Sequence, residues 1–329
     1  MTIHRDPIFV TGSSGFVGRQ IVKQLVDDGF KVRALARRAP QKPWGPSVET
    51  VIGDLSKPET YASALSGASA VVHAALTDDL SHEPRATSDL RELSAKAGVQ
   101  KFVHLSSIVI YGNPPHGAIT EETAPIPSSD LYSRTKLAIE ETLRSSAAGG
   151  QVIVLRLGCV YGPGGGWWTE GLLSQMRRGR LILVNGGTGF ANMIHVADVA
   201  AIVSVVLDRS TAALEIFNVT DGVPVHWSRY FSELEKILGR GATVSMNAAS
   251  AKEYGRKWLR PSLARRVFRK LSGGQLVYPL DDHGIATFAS RAVYSNHKAA
   301  SMLGFKPAYD LETGMQSLSP SGETLALTQ

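Results

Sequence analysis

Tyr132 and Lys136, in the run "YSRTK", stand four residues apart, so a helix through them would stack both side chains on one face. An unperturbed phenol has a pKa of about 10 and exchanges protons poorly at neutral pH, whereas a neighbouring ammonium favours its ionised form. Upstream, a strand-like run ends in Ser106-Ser107. The Ser107 hydroxyl is suited to hold and polarise the oxygen to which Tyr132 gives a proton. Together these three side chains suggest proton transfer to a carbonyl oxygen, or from an alcohol, while a hydride moves to or from a nicotinamide. Lys136 would also bind the nicotinamide ribose.

Hydride chemistry of that kind needs a dinucleotide, and the chain offers a place for one. "VTGSSGFVGRQIV" (10–22) carries glycines at 12, 15 and 18 between a predicted strand and a predicted helix. Gly12 suits the tight turn, Gly15 a backbone approach to a pyrophosphate, and Gly18 close helix–strand packing, with free N–H groups at the helix start facing the anion. An acidic side chain that reads the ribose is expected about 20 residues further on. "KVRALARR" (31–38) instead runs through Ala36 into Arg37 and Arg38. A carboxylate there would repel a 2′-phosphate, whereas a guanidinium binds one bidentately. NADP(H) is therefore favoured over NAD(H). Asp54, closing the next strand in "VIGDL", is placed to take the exocyclic amine of adenine.

Positioning these groups requires strands and helices in alternation. Apolar, β-branched runs at 7–12, 31–36, 48–54, 68–75, 99–107 and 150–158 read as strands, and 16–26, 58–66, 84–97 and 130–147 read as helices. That alternation predicts an α/β fold with a doubly wound parallel sheet covered on both faces. The expected organisation is a dinucleotide-binding domain over 1–160 with returning segments near 191–220. A smaller C-terminal substrate-binding subdomain would take 161–190 and 221–315, leaving a tail at 316–329. Trp167 and Trp168, after the glycine-rich loop "YGPGGG", could form an apolar or sugar-stacking wall.

Composition narrows the class. The 329 residues are 43% hydrophobic and 19% charged, the balance of an ordinary globular protein. No apolar run approaches the ~18 residues of a membrane span. The start shows no charged-then-apolar leader, and Cys159 is the only cysteine, so a reducing, cytoplasmic setting is expected. The nine histidines lack metal-ligand spacing, and no metal is expected. The net charge of +6 is local: residues 252–270 hold eight Lys/Arg against one Glu, so the remainder sums to −1. This argues against nucleic acid as a partner. It leaves one basic patch, read as an amphipathic helix pair with a solvated face, or alternatively as a contact for an anionic substrate or surface.

TGxxGxxG, "GDL", "VVHAA", "SS…YG" and YxxxK, in this order, resemble the extended short-chain dehydrogenase/reductase family. "RLGCVYGPG", "IHVADVA" and "SNHKAASMLGFKP" extend the resemblance over nearly the whole chain. The resemblance implies a Rossmann domain, a homodimer, a small-molecule substrate and a catalytic set of Ser107, Tyr132 and Lys136. It also implies a cofactor lined by Phe16, Val17, Leu55, Ala74, Ala75, Leu157 and Val160, and a substrate-binding role for Arg291. Departures from the family's patterns are informative. Ile108 and Val109 stand where its dehydratases carry Asp-Glu, which argues against water elimination. Cys159 and Ala191 stand where nucleotide-sugar epimerases commonly carry the Asn and Arg that hold a diphosphate. The expectation is an NADP(H)-dependent reductase or dehydrogenase acting on a ketone or secondary alcohol. The alternatives are a nucleotide-sugar 4-epimerase with tightly bound NAD and a non-catalytic dinucleotide-sensing module.

Overall fold

The computed structural model describes residues 6–114, 116–126, 129–259 and 276–318. The first half alternates as β1 (Ile8–Thr11), α1 (Phe16–Asp27), β2 (Val32–Ala36), β3 (Val48–Ile52), β4 (Ala70–His73), α2 (Glu83–Lys96), β5 (Lys101–Ser107), β6 (His116–Ile119), α3 (Leu131–Ser145) and β7 (Gln151–Leu157). The second half continues with β8 (Cys159–Tyr161), α4 (Leu172–Arg178), β9 (Arg180–Val184), β10 (Phe190–Ala191), β11 (Met193–His195), α5 (Val196–Asp208) and β12 (Leu214–Val219). Then come β13 (Val225–His226), α6 (Trp227–Leu238), β14 (Thr243–Met246), α7 (Ala248–Leu259), β15 (Val277–Tyr278), α8 (Asp282–Ala289), β16 (Arg291–Tyr294), α9 (His297–Leu303) and α10 (Leu311–Gln316).

Seven strands form the central sheet in the order β12-β7-β5-β4-β1-β2-β3, every neighbouring pair parallel. This is the Rossmann-like α/β arrangement expected from the alternating pattern. From β1 the chain steps outward through β2 and β3, then crosses back to β4 on the other side. The switch point therefore lies between the carboxyl ends of β1 and β4, where a doubly wound sheet opens its ligand crevice.

Both faces are covered because each helix presents one apolar stripe. On one face Ile21, Val22 and Leu25 of α1 meet Val199, Ile202 and Val203 of α5 over Val10, Val72 and Val103. On the other, Leu90 of α2 and Ile139 and Leu143 of α3 cover Phe9, Val71 and Phe102. A further core gathers Met176, Leu181, Trp227, Tyr230, Phe231 and Phe288 from the later elements. Ala299 and Leu303 of α9 pack back into the first core. The helix expected at 58–66 is instead two 3-10 turns, Pro58–Thr60 and Ala62–Leu65. Tyr61 between them has φ −133°, outside the helical region, and its side chain is buried in the core. The basic patch of 252–270 lies within α7 up to Leu259; beyond that it falls outside the described residues, as does most of the expected tail. No helix among the described residues is long and apolar enough to cross a membrane.

Helix α3 carries Tyr132 and Lys136, and its attachment to the sheet is specific. Asp130 caps its start, the carboxylate accepting the Ser133 N–H at 2.7 Å. Two turns after Tyr132, the carboxylate of Glu140 meets Arg156 of β7, with Nη2 to Oε2 at 2.7 Å and both side chains almost fully buried. Ser106 of β5 donates to Glu140 Oε1 at 2.6 Å, and Arg156 Nη1 donates to the Tyr111 hydroxyl at 2.6 Å. Removing one partner of such a pair strands the other charge in the interior, a loss of about 3–5 kcal/mol. Glu140→Ala is therefore expected to lower unfolding stability by about that amount in urea titration. A loss below about 1 kcal/mol, the size of a surface pair, would contradict the clamp described here.

Candidate functional site

The glycine loop lies at the switch point. Gly12, immediately after β1, has φ +69°, and a Cβ there would come within 2.7 Å of the Ala74 carbonyl carbon and the Ala75 nitrogen. Only glycine fits that approach. A Cβ on Gly18 would run into the Gly12 carbonyl oxygen, so this residue fixes how tightly α1 abuts the loop. Gly15 precedes α1 as an N-cap without a side-chain cap, and no acid occupies the first turn. The first N–H groups of α1 thus face an accessible loop free of negative charge, which fits a pyrophosphate. Phe16 and Val17 follow directly in that turn, both half-buried.

The neighbouring strand end is set by a chain of hydroxyls. Thr11 Oγ1 accepts the Ala75 N–H at 3.2 Å, so its proton goes to His73 Nδ1 at 2.8 Å. His73 then donates from Nε2 to Thr87 at 3.0 Å, and burial holds it neutral by pushing its pKa down to about 3. This network fixes Ala74 and Ala75 against the glycine loop. Sequence reasoning missed it, because a histidine inside a β-branched strand carries no signal of its own.

At the far end of the crevice β2 closes on Ala36, with Arg37 and Arg38 both exposed beyond it. No carboxylate follows the strand directly. However, Asp78, from the loop after β4, reaches Arg37 at 2.5 Å. Both side chains are largely in solvent, where an ion pair holds weakly and exchanges readily. Asp54 follows β3, and its Oδ1 accepts the backbone N–H and hydroxyl of Ser56 at 3.0 and 2.8 Å. Those bonds keep its pKa below the usual carboxylate range. Leu55 beside it is buried.

The three chemistry-bearing side chains meet where β5 ends. Ser107 accepts the Val109 N–H at 3.3 Å, which leaves its own hydrogen free to donate. It lies against the Tyr132 phenol, and hydrogen bonding between the two lowers the phenol's pKa. Lys136 is fully buried and donates from Nζ to the Leu105 carbonyl at 2.8 Å, with the ammonium 5.8 Å from the Tyr132 ring centroid. Burial pushes the Lys136 pKa down to about 8, with Glu83 and Glu140 pulling it back up.

One expectation is corrected here. The phenol of Tyr132 stands above its ordinary pKa, not below, because burial outweighs the bond from Ser107. Two hydroxyls, one free to donate and one firmly protonated, can grip a carbonyl oxygen between them.

Leu157 closes β7 and Val160 lies in β8, which pairs with β11 through Val160↔Ile194. The pair of tryptophans divides. Trp168 stacks on Trp227 at 5.3 Å between ring centroids and meets Phe288 edge-on, so core packing occupies its face. Trp167 is 56% exposed. Arg291 is exposed at the start of β16, its guanidinium 5.8 Å from the Phe190 ring. Cys159 and Ala191 are both buried.

Comparison with known proteins agrees with this architecture. Residues 8–220 match the model of the NAD dependent epimerase/dehydratase family. A farnesyl-dihydroquinoline-oxide ketoreductase of Stigmatella aurantiaca is 28% identical over 249 residues, 72% of this chain and 74% of that protein. An N-acetylglucosaminyl-diphospho-undecaprenol 4-epimerase of Escherichia coli O157:H7 is 25% identical over 248 residues, 71% of this chain and 73% of that one. Among solved structures, MoeE5 in complex with UDP-glucuronic acid and NAD superimposes with a TM-score of 0.73 at 24% identity, covering 98% of this chain and all of that one. The chain belongs to the NAD dependent epimerase/dehydratase family, within the extended short-chain dehydrogenases/reductases.

Proposed function

We propose that this protein is an NADP(H)-dependent reductase or dehydrogenase acting on a ketone or secondary alcohol. The observation that carries the reading is the junction of two features. Ser107, Tyr132 and Lys136 converge at the carboxyl end of β5, on the same sheet edge as the glycine loop after β1 with β4 between them, and the strand that should end on a ribose-reading acid ends on Arg37 and Arg38. The residues present fit the cofactor: the glycine cradle and the α1 N-terminus would take its pyrophosphate, and Asp54 the adenine. Arg37 and Arg38 would take a 2′-phosphate, displacing Asp78 from its exposed pair. Once bound, the nicotinamide supplies or receives the hydride.

The chain's own groups handle the oxygen and the proton. Ser107 donates to the carbonyl oxygen and orients it. Tyr132 gives that oxygen a proton as an alcohol forms, and takes one back in the reverse direction. Burial keeps the phenol protonated at neutral pH, the form that can donate a hydrogen bond and then a proton to the carbonyl oxygen. Lys136 would offer its ammonium to the nicotinamide ribose.

A second reading is a nucleotide-sugar 4-epimerase with tightly bound NAD, favoured by the Escherichia coli relative. It uses the same three residues. Against it, the buried positions Cys159 and Ala191 offer no cation to a diphosphate. Asp221, whose carboxylate acts on Cys159, adds an acid whose pKa burial lifts to about 7. An epimerase substrate would bring two more negative charges to this region.

Replacing Arg37 and Arg38 together by alanine is expected to weaken NADPH binding about tenfold or more, with NADH binding little changed, in fluorescence titrations. Equal losses for both cofactors would contradict the 2′-phosphate assignment. Tyr132→Phe is expected to abolish turnover of a reducible ketone, a loss of about 10²-fold or more, while the cofactor still binds. Survival of activity would remove Tyr132 from the mechanism.

A further inference from the structure

Glu83, the first residue of α2, is fully buried, and its Oε2 has no hydrogen-bond partner. Its other oxygen accepts the backbone N–H of Thr77, in the loop that follows Ala74 and Ala75. Helices α2 and α3 pack side by side, and Thr135 of α3 donates to the Leu80 carbonyl at 3.2 Å just before α2 begins. That contact brings the start of α2 against the turn of α3 that carries Lys136. Burial lifts the Glu83 carboxyl above its ordinary range, the Thr77 bond and Lys136 pull it back towards the carboxylate, and Glu83 in turn favours the ammonium of Lys136.

The surroundings leave Glu83 with this task. Glu140, one turn along α3, also faces Lys136, but its carboxylate is engaged by Arg156 and Ser106. His73 on β4 and His104 on β5 face the same ammonium and are neutral, since burial pushes both pKa values far down. Tyr132, on the preceding turn, is neutral as well. A lysine enclosed among uncharged groups tends to lose its proton, and a free amine can no longer act as a fixed positive charge. Glu83 is the facing anion that no cation already holds.

We propose that Glu83 is a positioning residue of the site: its buried carboxylate is the counter-charge that keeps Lys136 an ammonium beside Tyr132 and Ser107. The proposal rests on the reading of Lys136 as a cofactor-binding and proton-handling group. Glu83 is buried away from the surface and acts through Lys136. The N–H of Thr77 could be accepted equally by a glutamine, so the charge and the loop contact are separable.

The test is an NMR titration of protein carrying [ε-¹³C]lysine, the Lys136 signal being the one lost in Lys136→Met. The wild-type midpoint is expected at about 8. Glu83→Gln keeps the shape and removes the charge, so the midpoint should fall. A fall to about 7 would cut the protonated fraction at pH 8 from about a half to about a tenth, roughly fivefold. NADPH affinity of the variant should then weaken at lower pH than in the wild type, and Glu83→Asp should restore most of both effects. A purely structural role would leave the titration unmoved, and an unmoved midpoint overturns the proposal. The reciprocal measurement does not depend on Glu83→Gln folding: in Lys136→Met the Glu83 carboxyl, observed with [δ-¹³C]glutamate, should titrate at higher pH than in the wild type. No movement there overturns the proposal equally. Failure of the underlying reading has a separate sign, namely Lys136→Met binding NADPH as well as the wild type.

Discussion

The buried ion pair between Glu140 and Arg156 is the constraint on which the candidate site depends. Tyr132, Lys136 and Glu140 fall four residues apart on α3 and so share one stripe of the helix. Fixing Glu140 against β7 and Ser106 of β5 therefore fixes the rotation and height of the other two. Two charges this deep carry a large desolvation cost, and the arrangement holds only because their polar atoms are satisfied. Arg156 reaches Glu140 from Nε and Nη2 and Tyr111 from Nη1, and Tyr111 continues to Asn218 of β12 at 2.9 Å. One network thus joins α3 to three strands of the sheet.

The electrostatics of the crevice follow from the same packing. Its floor is buried, so His73 and His104 are neutral and the phenol of Tyr132 keeps its proton. Its two charge-bearing regions are separated. The glycine loop and the start of α1 offer N–H groups to an anion, while Lys136 lies under the carboxyl end of β5. The protonated phenol and the Ser107 hydroxyl are both placed as hydrogen-bond donors where β5 ends.

Much of this was legible in the sequence. The alternating apolar runs and the three glycines read directly as a parallel sheet with an anion-binding turn, because both patterns arise from local backbone geometry. The four-residue spacing of Tyr132 and Lys136 marked a shared face for the same reason. What the sequence could not show is mostly tertiary. Glu83 and Glu140 look like ordinary polar positions on amphipathic helices; only the packing of α2 on α3, and of α3 on the sheet, buries them. Trp168 is a related case: an aromatic beside a glycine-rich loop reads as a candidate substrate wall, and only the packing shows Trp227 and Phe288 against its ring. Arg37 reads from sequence as a phosphate ligand, and the structure adds an exposed partner, Asp78, from the loop after β4, distant in sequence. The turns at 58–65 replaced a helix because the core claims Tyr61.

We propose that this site works with an exchangeable NADP(H) cofactor and a small carbonyl or alcohol substrate. The most direct test is to denature the purified protein and quantify the nicotinamide it releases, then to measure NADPH and NADH binding to the untreated protein. Little released nucleotide, together with tighter binding of NADPH than of NADH, is the predicted result. Release of close to one NAD per chain would contradict the claim, since retained NAD is what a 4-epimerase needs to regenerate its cofactor in every cycle.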